Sequence, residues 1–173
     1  EFYTHTLMPP LLTPGPNPYG SPPILLAGVG PAMTEVAGEV ADGYLIHPFH
    51  CAGYLDQLAM PALTRGLLKS GRNRADLEVS SQLLVATGRD RMELDQSISQ
   101  LRTQIAFYAS TPAYRPVLEA IGRGTLQEEL NALSKQGSWD EMGACIDDEV
   151  LHAVAIVGTP QEGGAIVGEE YDH

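Results

Sequence analysis

The residues best suited to chemistry fall in two short runs. The first, "AGVGPAM" from Ala27 to Met33, sets Gly28 and Gly30 directly before Pro31, and proline suits the first position of a helix. Glycine lets a backbone approach an anion closely. The N–H groups of Ala32 and Met33, unpaired in a first helical turn at the positive end of the helix dipole, suit a phosphate. The same glycines also serve a sharp strand-to-helix reversal, so the spacing alone leaves both a phosphate cradle and a plain corner open. The second run, "HPFH", carries His47 and His50. A histidine there could donate to a phosphate, carry charge near neutral pH or shuttle a proton during hydride transfer; it could equally make a local cap or stand in solvent.

Other constellations carry less. Asp147, Asp148 and Glu149 are adjacent acids, but no second oxygen cluster stands at ligand spacing, and helix N-termini favour acids. No metal is expected. Cys51 and Cys145 lie far apart without Cys/His spacing, which reads as two reduced thiols. Ser80 to Gln82 lack the Gly-x-Ser-x-Gly turn or Cys/His pair of a nucleophilic site. His5, His152 and His173 have no such context, and no catalytic residue can be named.

The elements that position these runs follow from hydrophobic period and punctuation. Residues 1–23 are proline-rich and read as an irregular connection. Residues 24–90 read as strand, helix, strand, helix, strand. An apolar strand precedes Gly30, and a helix from Pro31 has Ala32, Met33, Val36, Ala37, Val40 and Ala41 on one face, with Glu35 and Glu39 toward water. The second strand runs from Tyr44 to His47, and the next helix carries Leu55, Leu58, Ala59, Ala62, Leu63 and Leu67, bent at Pro61 and ended by Gly71. A third strand is predicted from Glu78 to Ala86. Crossovers of this length imply parallel pairing. Residues 91–162 read as helices, including one across "DEVLHAVAIVG". Residues 163–173 form an atypical glycine-containing tail.

The chain has 173 residues, 43% of them hydrophobic, with ten Lys and Arg against twenty-two Asp and Glu, a net charge of −12. That size suits one domain. The charge disfavours nucleic acid and anionic lipid. No apolar run approaches the roughly 20 residues of a membrane span, and no signal peptide is legible, so a cytoplasmic location is expected. Three parallel strands cannot close a barrel and would leave open edges, so the chain reads as part of something larger. A truncated or frame-shifted gene product would account for its two unusual ends.

In order and separation, "PPILLAGVGPAM", "AGEVADGYLIHPFH", "VSSQLLVATG" and "AFYASTPAYRPVLEAIG" resemble the C-terminal portion of the luciferase-like monooxygenase superfamily, and within it the oxidoreductases that use deazaflavin coenzyme F420. The resemblance spans residues 1–162. It implies an α/β fold, the C-terminal part of a (β/α)8 TIM barrel, of which this chain supplies about three parallel strands and the terminal helices. It implies a site at the strand ends, with Gly28, Gly30, Pro31, Ala32, Met33, His47 and His50 as cofactor-binding candidates. Members that use FMN tend to carry serines in this turn; Val29, Gly30 and Pro31 stand here, which favours F420, with FMN the alternative. Tyr108, Tyr114 and Arg115 would line the substrate side, or else be core-edge aromatics and a helix cap. The implied activity is hydride transfer to or from an organic substrate, with the chain inactive alone. The contrasting reading is a non-catalytic remnant or assembly module that pairs its open sheet with another chain. The expected partners are a small-molecule cofactor and substrate, with homo-oligomerisation left open.

Overall fold

A computed structural model describes residues 9–12 and 15–164. Residues 1–8, 13–14 and 165–173 lie outside the described residues, and so do the expectations for them. The first strand, β1 (Leu25–Ala27), leads through the glycine turn into α1 (Pro31–Val40). Next comes β2 (Gly43–Ile46), set one residue earlier than the sequence suggests. The Asp42 carboxylate accepts the Ile24 N–H at 2.8 Å, and the Ile24 carbonyl accepts from Asp42 and Gly43. These bonds place the starts of β1 and β2 side by side.

The helical stretch after "HPFH" is α2 (Ala52–Tyr54), a π-helical segment at Leu55–Ala59, and α3 (Met60–Ser70), ended by left-handed Gly71. The π segment falls just before Pro61, which lacks the N–H that a regular turn needs. β3 (Glu78–Ser81) completes a parallel sheet of order β1-β2-β3, with Leu26 opposite Tyr44 and Tyr44 opposite Val79.

The third strand read from Glu78 to Ala86 is in fact two. It breaks at Gln82 and Leu83, and β4 (Leu84–Ala86) joins a separate parallel pair with β5 (Ala155–Val157). The break lets Val79 face one core while Leu84 and Ala86 face another. Likewise, "DEVLHAVAIVG" is not one helix. It splits into α8 (Asp148–Val154) and β5, because Ala-Ile-Val fits either period and the free edge of β4 decides. Between them lie α4 (Arg91–Ala109), α5 (Arg115–Ala120), α6 (Leu126–Gln136) and α7 (Trp139–Ala144). The five strands among the described residues form an open part of a barrel, not a closed one.

Two cores result. Ala37, Tyr44, Ile46, Leu63, Leu67 and Leu77 lie between the three-stranded sheet and helices α1 and α3. A larger cluster, including Phe49, Tyr54, Leu101, Ile105, Leu118, Leu130 and Leu151, joins α4 to α8 with β4. Helices α1 and α3 cross at two glycines: a Cβ on Gly66 would lie 1.9 Å from the Glu35 carbonyl oxygen, and one on Gly38 2.3 Å from that of Leu63. Glu35 is not simply in water. It pairs with Lys69 and Arg65 of α3, and Lys69 first and Arg65 second hold its carboxyl below the usual range.

Gly66→Ala should therefore cost roughly 2 kcal/mol by overpacking, lowering Tm by about 4–8 °C. Gly15→Ala, where an added Cβ meets nothing within 4 Å, is the control, and equal melting of the two in calorimetry would contradict the close crossing.

Candidate active site at the strand ends

The glycine turn sits at the C-terminal end of β1. Gly28 is required by packing, since a Cβ there would lie 2.8 Å from the Met33 Cβ. Gly30 is required by backbone, with φ 80° and ψ 163° at the N-cap of α1, where L side chains are strained. Pro31 occupies the start of the helix as the sequence predicts. No side chain caps this helix, and Pro31, Ala32 and Met33 are exposed. The Ala32 and Met33 N–H groups thus point outward from a first turn without an internal acceptor.

Three hydroxyls hold the turn from behind. The Tyr44 hydroxyl contacts the Gly28 carbonyl at 2.9 Å, Thr34 Oγ1 contacts the Gly30 carbonyl at 2.9 Å, and the two hydroxyls lie 3.0 Å apart. Tyr54, from α2, accepts the Gly30 N–H at 3.4 Å. Burial raises the pKa of Tyr44, Tyr54 and Tyr114 above the ordinary phenol value. All three remain protonated donors near neutral pH.

His47 follows directly after β2. Its Nδ1 accepts the Phe49 N–H at 3.1 Å, so the neutral ring carries its proton on Nε2. The ring is flanked by Tyr114, centroids 4.6 Å apart, and by Tyr108, edge-on at 4.9 Å. Burial, and then the nearby His50, lower its pKa. His50 is not in solvent: it is buried, its Nδ1 lies 2.8 Å from the His47 carbonyl and its Nε2 3.3 Å from Ser81 Oγ. Donation from Nδ1 to the carbonyl leaves Nε2 as acceptor for the serine proton. Both nitrogens are occupied in tying the loop to β3.

Gly28, Val29, Tyr44, Ile46, His47, Phe49, Tyr54, Tyr114 and Val117 line one narrow cleft of about 10 Å³, the room of roughly one water. It brings the glycine turn and His47 together. His50 stands behind its wall. Tyr44 and Tyr54 were hidden in the sequence among apolar neighbours of a strand and a helix, and only their hydroxyls hinted at a second role. Arg115 caps nothing; it starts α5 and pairs with Glu119 and Glu128. Asp147 caps α8, accepting the Val150 N–H at 2.9 Å, and Arg123 and Arg102 engage the neighbouring acids. Among the described residues no three metal-ligating side chains converge, and no helix is long and apolar enough to cross a membrane.

Residues 1–170 match the luciferase-like monooxygenase family. The chain belongs to that family. It is 55% identical over 158 residues to an uncharacterized protein of Mycobacterium tuberculosis (strain ATCC 25618 / H37Rv), covering 91% of this chain and 46% of that one. It is 27% identical over 147 residues to the 5,10-methylenetetrahydromethanopterin reductase of Archaeoglobus fulgidus, covering 83% and 43%. The chain thus spans less than half the length of these relatives. Its fold resembles the coenzyme F420 dependent tetrahydromethanopterin reductase of Methanopyrus kandleri, with TM-score 0.67 and 22% identity over 85% of this chain and 41% of that one. The cleft of this luciferase-like chain lies at strand C-termini, where barrel enzymes of many chemistries carry their sites.

Both imidazoles have pKa values lowered in the folded state. The unfolded chain therefore binds more protons as pH falls through the usual histidine range, and their contribution to stability, present above that range, is lost on acidification. Imidazole carbon shifts followed by NMR should show His47 and His50 titrating below about 6.5, with His47 in the Nε2–H form. Titration at or above that value would contradict the buried geometry.

Proposed function

We propose that this chain is the C-terminal part of a coenzyme F420-dependent oxidoreductase and that its glycine turn helps to hold the phosphate of the cofactor tail. One observation carries the reading: the glycine turn and His47 stand at the C-terminal ends of adjacent parallel strands, where Gly28, Val29 and His47 line one cleft. The residues fit a phosphate. The turn has close backbone at Gly28, a φ that only glycine adopts easily at Gly30 and two outward N–H groups on Ala32 and Met33. They do not fit a flavin or deazaflavin ring, because the cleft between them has room for about one water.

When bound, coenzyme F420 supplies hydride transfer. The residues of this chain orient its tail, with Ala32 and Met33 donating from the helix terminus and His47 donating from Nε2. The ring pocket and the substrate site belong to barrel strands outside this sequence, so the 173-residue chain binds weakly and does not turn over alone. The family likeness and the reductases named among its relatives support this reading.

The second reading, an assembly module, is favoured by the bare inner face of the sheet. Ala27 and Leu45, paired in register across β1 and β2, are exposed, Leu45 by 37%. Such a face and the open β1 edge invite pairing with another chain.

Fluorescence titration beside a sizing column separates the two. On the oxidoreductase reading F420 binds more tightly than FMN, and Gly30→Val weakens binding at least about ten-fold while Leu68→Ser, at an exposed site, leaves it unchanged. A dimer indifferent to both cofactors would favour the assembly module.

A further inference from the structure

The described strands occupy four consecutive positions of one arc: β1, β2, the interrupted strand β3–β4, and β5. Tyr44, Ile46, Leu84 and Ala86 pack under the helices, while Leu45 and Val85 lie exposed on the opposite, inner face. Ile156 shares that inner face, since it stands in register with Val85. In a strand of L-residues, side-chain face and N–H direction are linked. Gly43, on the inner face with Leu45, sends its N–H back to the Ile24 carbonyl beside β1, and Gly158, on the inner face with Ile156, sends its N–H back to Ala86 of β4. β5 therefore extends the arc in the same sense as β2 does, as right-handed crossovers require.

Among the described residues both ends of this arc are unpaired. Ile24 bonds toward β2, so by alternation Leu25 and Ala27 turn their N–H and C=O groups outward from β1. Gly158 bonds toward β4, so Ala155 and Val157 turn theirs outward from the far side of β5. The two edges run in the same direction and suit parallel pairing with each other. Within one copy, however, three strand steps of about 4.8 Å, roughly 14 Å, keep them apart. Apolar surface accompanies the β1 edge. At about 100° per residue, Met33, Val36 and Val40 fall on the flank of α1 away from Glu35 and Gly38, where α3 crosses, and they are 42%, 39% and 70% exposed.

We propose that a second copy of this chain closes the barrel, with β5 of each copy pairing in parallel with β1 of the other about a two-fold axis along the barrel. This gives the assembly reading its partner and rests on that reading; it stands whether or not the glycine turn holds a phosphate. A barrel of this type closes with eight strands, and two arcs of four supply eight. The two-fold makes the seams identical, so both form at once and neither copy keeps an open edge. Ile24, Met33, Val36, Val40, Leu45 and Val85, each about half exposed, leave on the order of 500 Å² of apolar surface per copy, about 1,000 Å² for the pair, the size at which specific interfaces begin. Each seam also brings the end of the partner's β5 beside the glycine turn. Two chains of net −12 repel each other, so the association rests on apolar contact and backbone bonds, and salt strengthens it by screening.

Sedimentation equilibrium of the 173-residue chain should return twice its 18.6 kDa, with tighter association at about 1 M salt than at about 0.01 M. Ala27→Pro removes an outward N–H from β1 and leaves the bonds to β2. With one bond lost at each of two seams, it should raise the dissociation constant at least about ten-fold. Cysteine pairing reads the same seam without weakening it: Ile156→Cys combined with Ala27→Cys or with Leu25→Cys should oxidise to a covalent dimer. A disulfide spans at most about 7 Å between Cα atoms, which the seam allows between copies and the arc forbids within one. The unmodified chain, with Cys51 and Cys145 free, is the control and should not cross-link. A chain that stays monomeric throughout the concentration range would overturn the inference. So would a dimer that Ala27→Pro does not weaken and that neither cysteine pair cross-links, although that dimer, formed through another face, leaves the assembly reading standing. A monomer that binds F420 defeats the self-pairing and leaves the oxidoreductase reading intact; a cross-linked dimer indifferent to F420 supports the self-pairing and defeats the oxidoreductase reading alone.

Discussion

The hydroxyl of Tyr44 ties the two layers of this structure together. Its ring lies in the core between sheet and helices, where apolar burial holds it, and its oxygen reaches the Gly28 carbonyl and Thr34 at the start of α1. One side chain therefore couples the position of β2 to the shape of the turn after β1. A phenylalanine would preserve the packing, but it would leave the half-buried Gly28 carbonyl without this donor, and polar groups left unpaired away from water are costly. The close crossing of α1 on α3 through Gly38 and Gly66 fixes the other end of the same helix. Between these restraints the N-terminus of α1 has little freedom.

The loop after β2 is held by a different device. His50 reaches back to the His47 carbonyl and forward to Ser81 on β3, so it serves the loop rather than the cleft. His47, in contrast, spends Nδ1 on the Phe49 N–H and lines the cleft, with Tyr114 beside its ring and Tyr108 edge-on. The two cores meet at this ring. The site depends on both, and neither the three-stranded sheet nor the helical cluster would position it alone.

An open sheet explains what is otherwise unusual in the surface. Leu45 and Val85 are exposed strand residues, and Met33, Val36 and Val40 leave an apolar stripe along α1. In a closed barrel such positions face neighbouring strands and helices. The chain covers less than half of its relatives, and these bare positions are where the rest of a barrel would bury its own apolar residues.

Much of this was legible from local patterns. Gly30 before Pro31, the three- and four-residue spacing of Leu94, Ile98, Leu101 and Ile105, and Gly71 at a helix end are decided by φ preference and helical period, which act within a few residues. The order of the elements near "GVGPAM" and "HPFH" also carried the family. The break at Gln82 and Leu83 and the strand at Ala155–Val157 were not legible, because each depends on pairing between segments about seventy residues apart. Nor could spacing tell His47 from His50: both stand in one loop, and only the contacts of Phe49, Ser81, Tyr108 and Tyr114 turn one toward the cleft and the other away. The sequence by itself determined where the turn and the histidines lie along a parallel α/β chain. Tertiary structure alone decided which hydroxyls back the turn, because their contacts depend on packing between residues up to twenty-four apart in the chain.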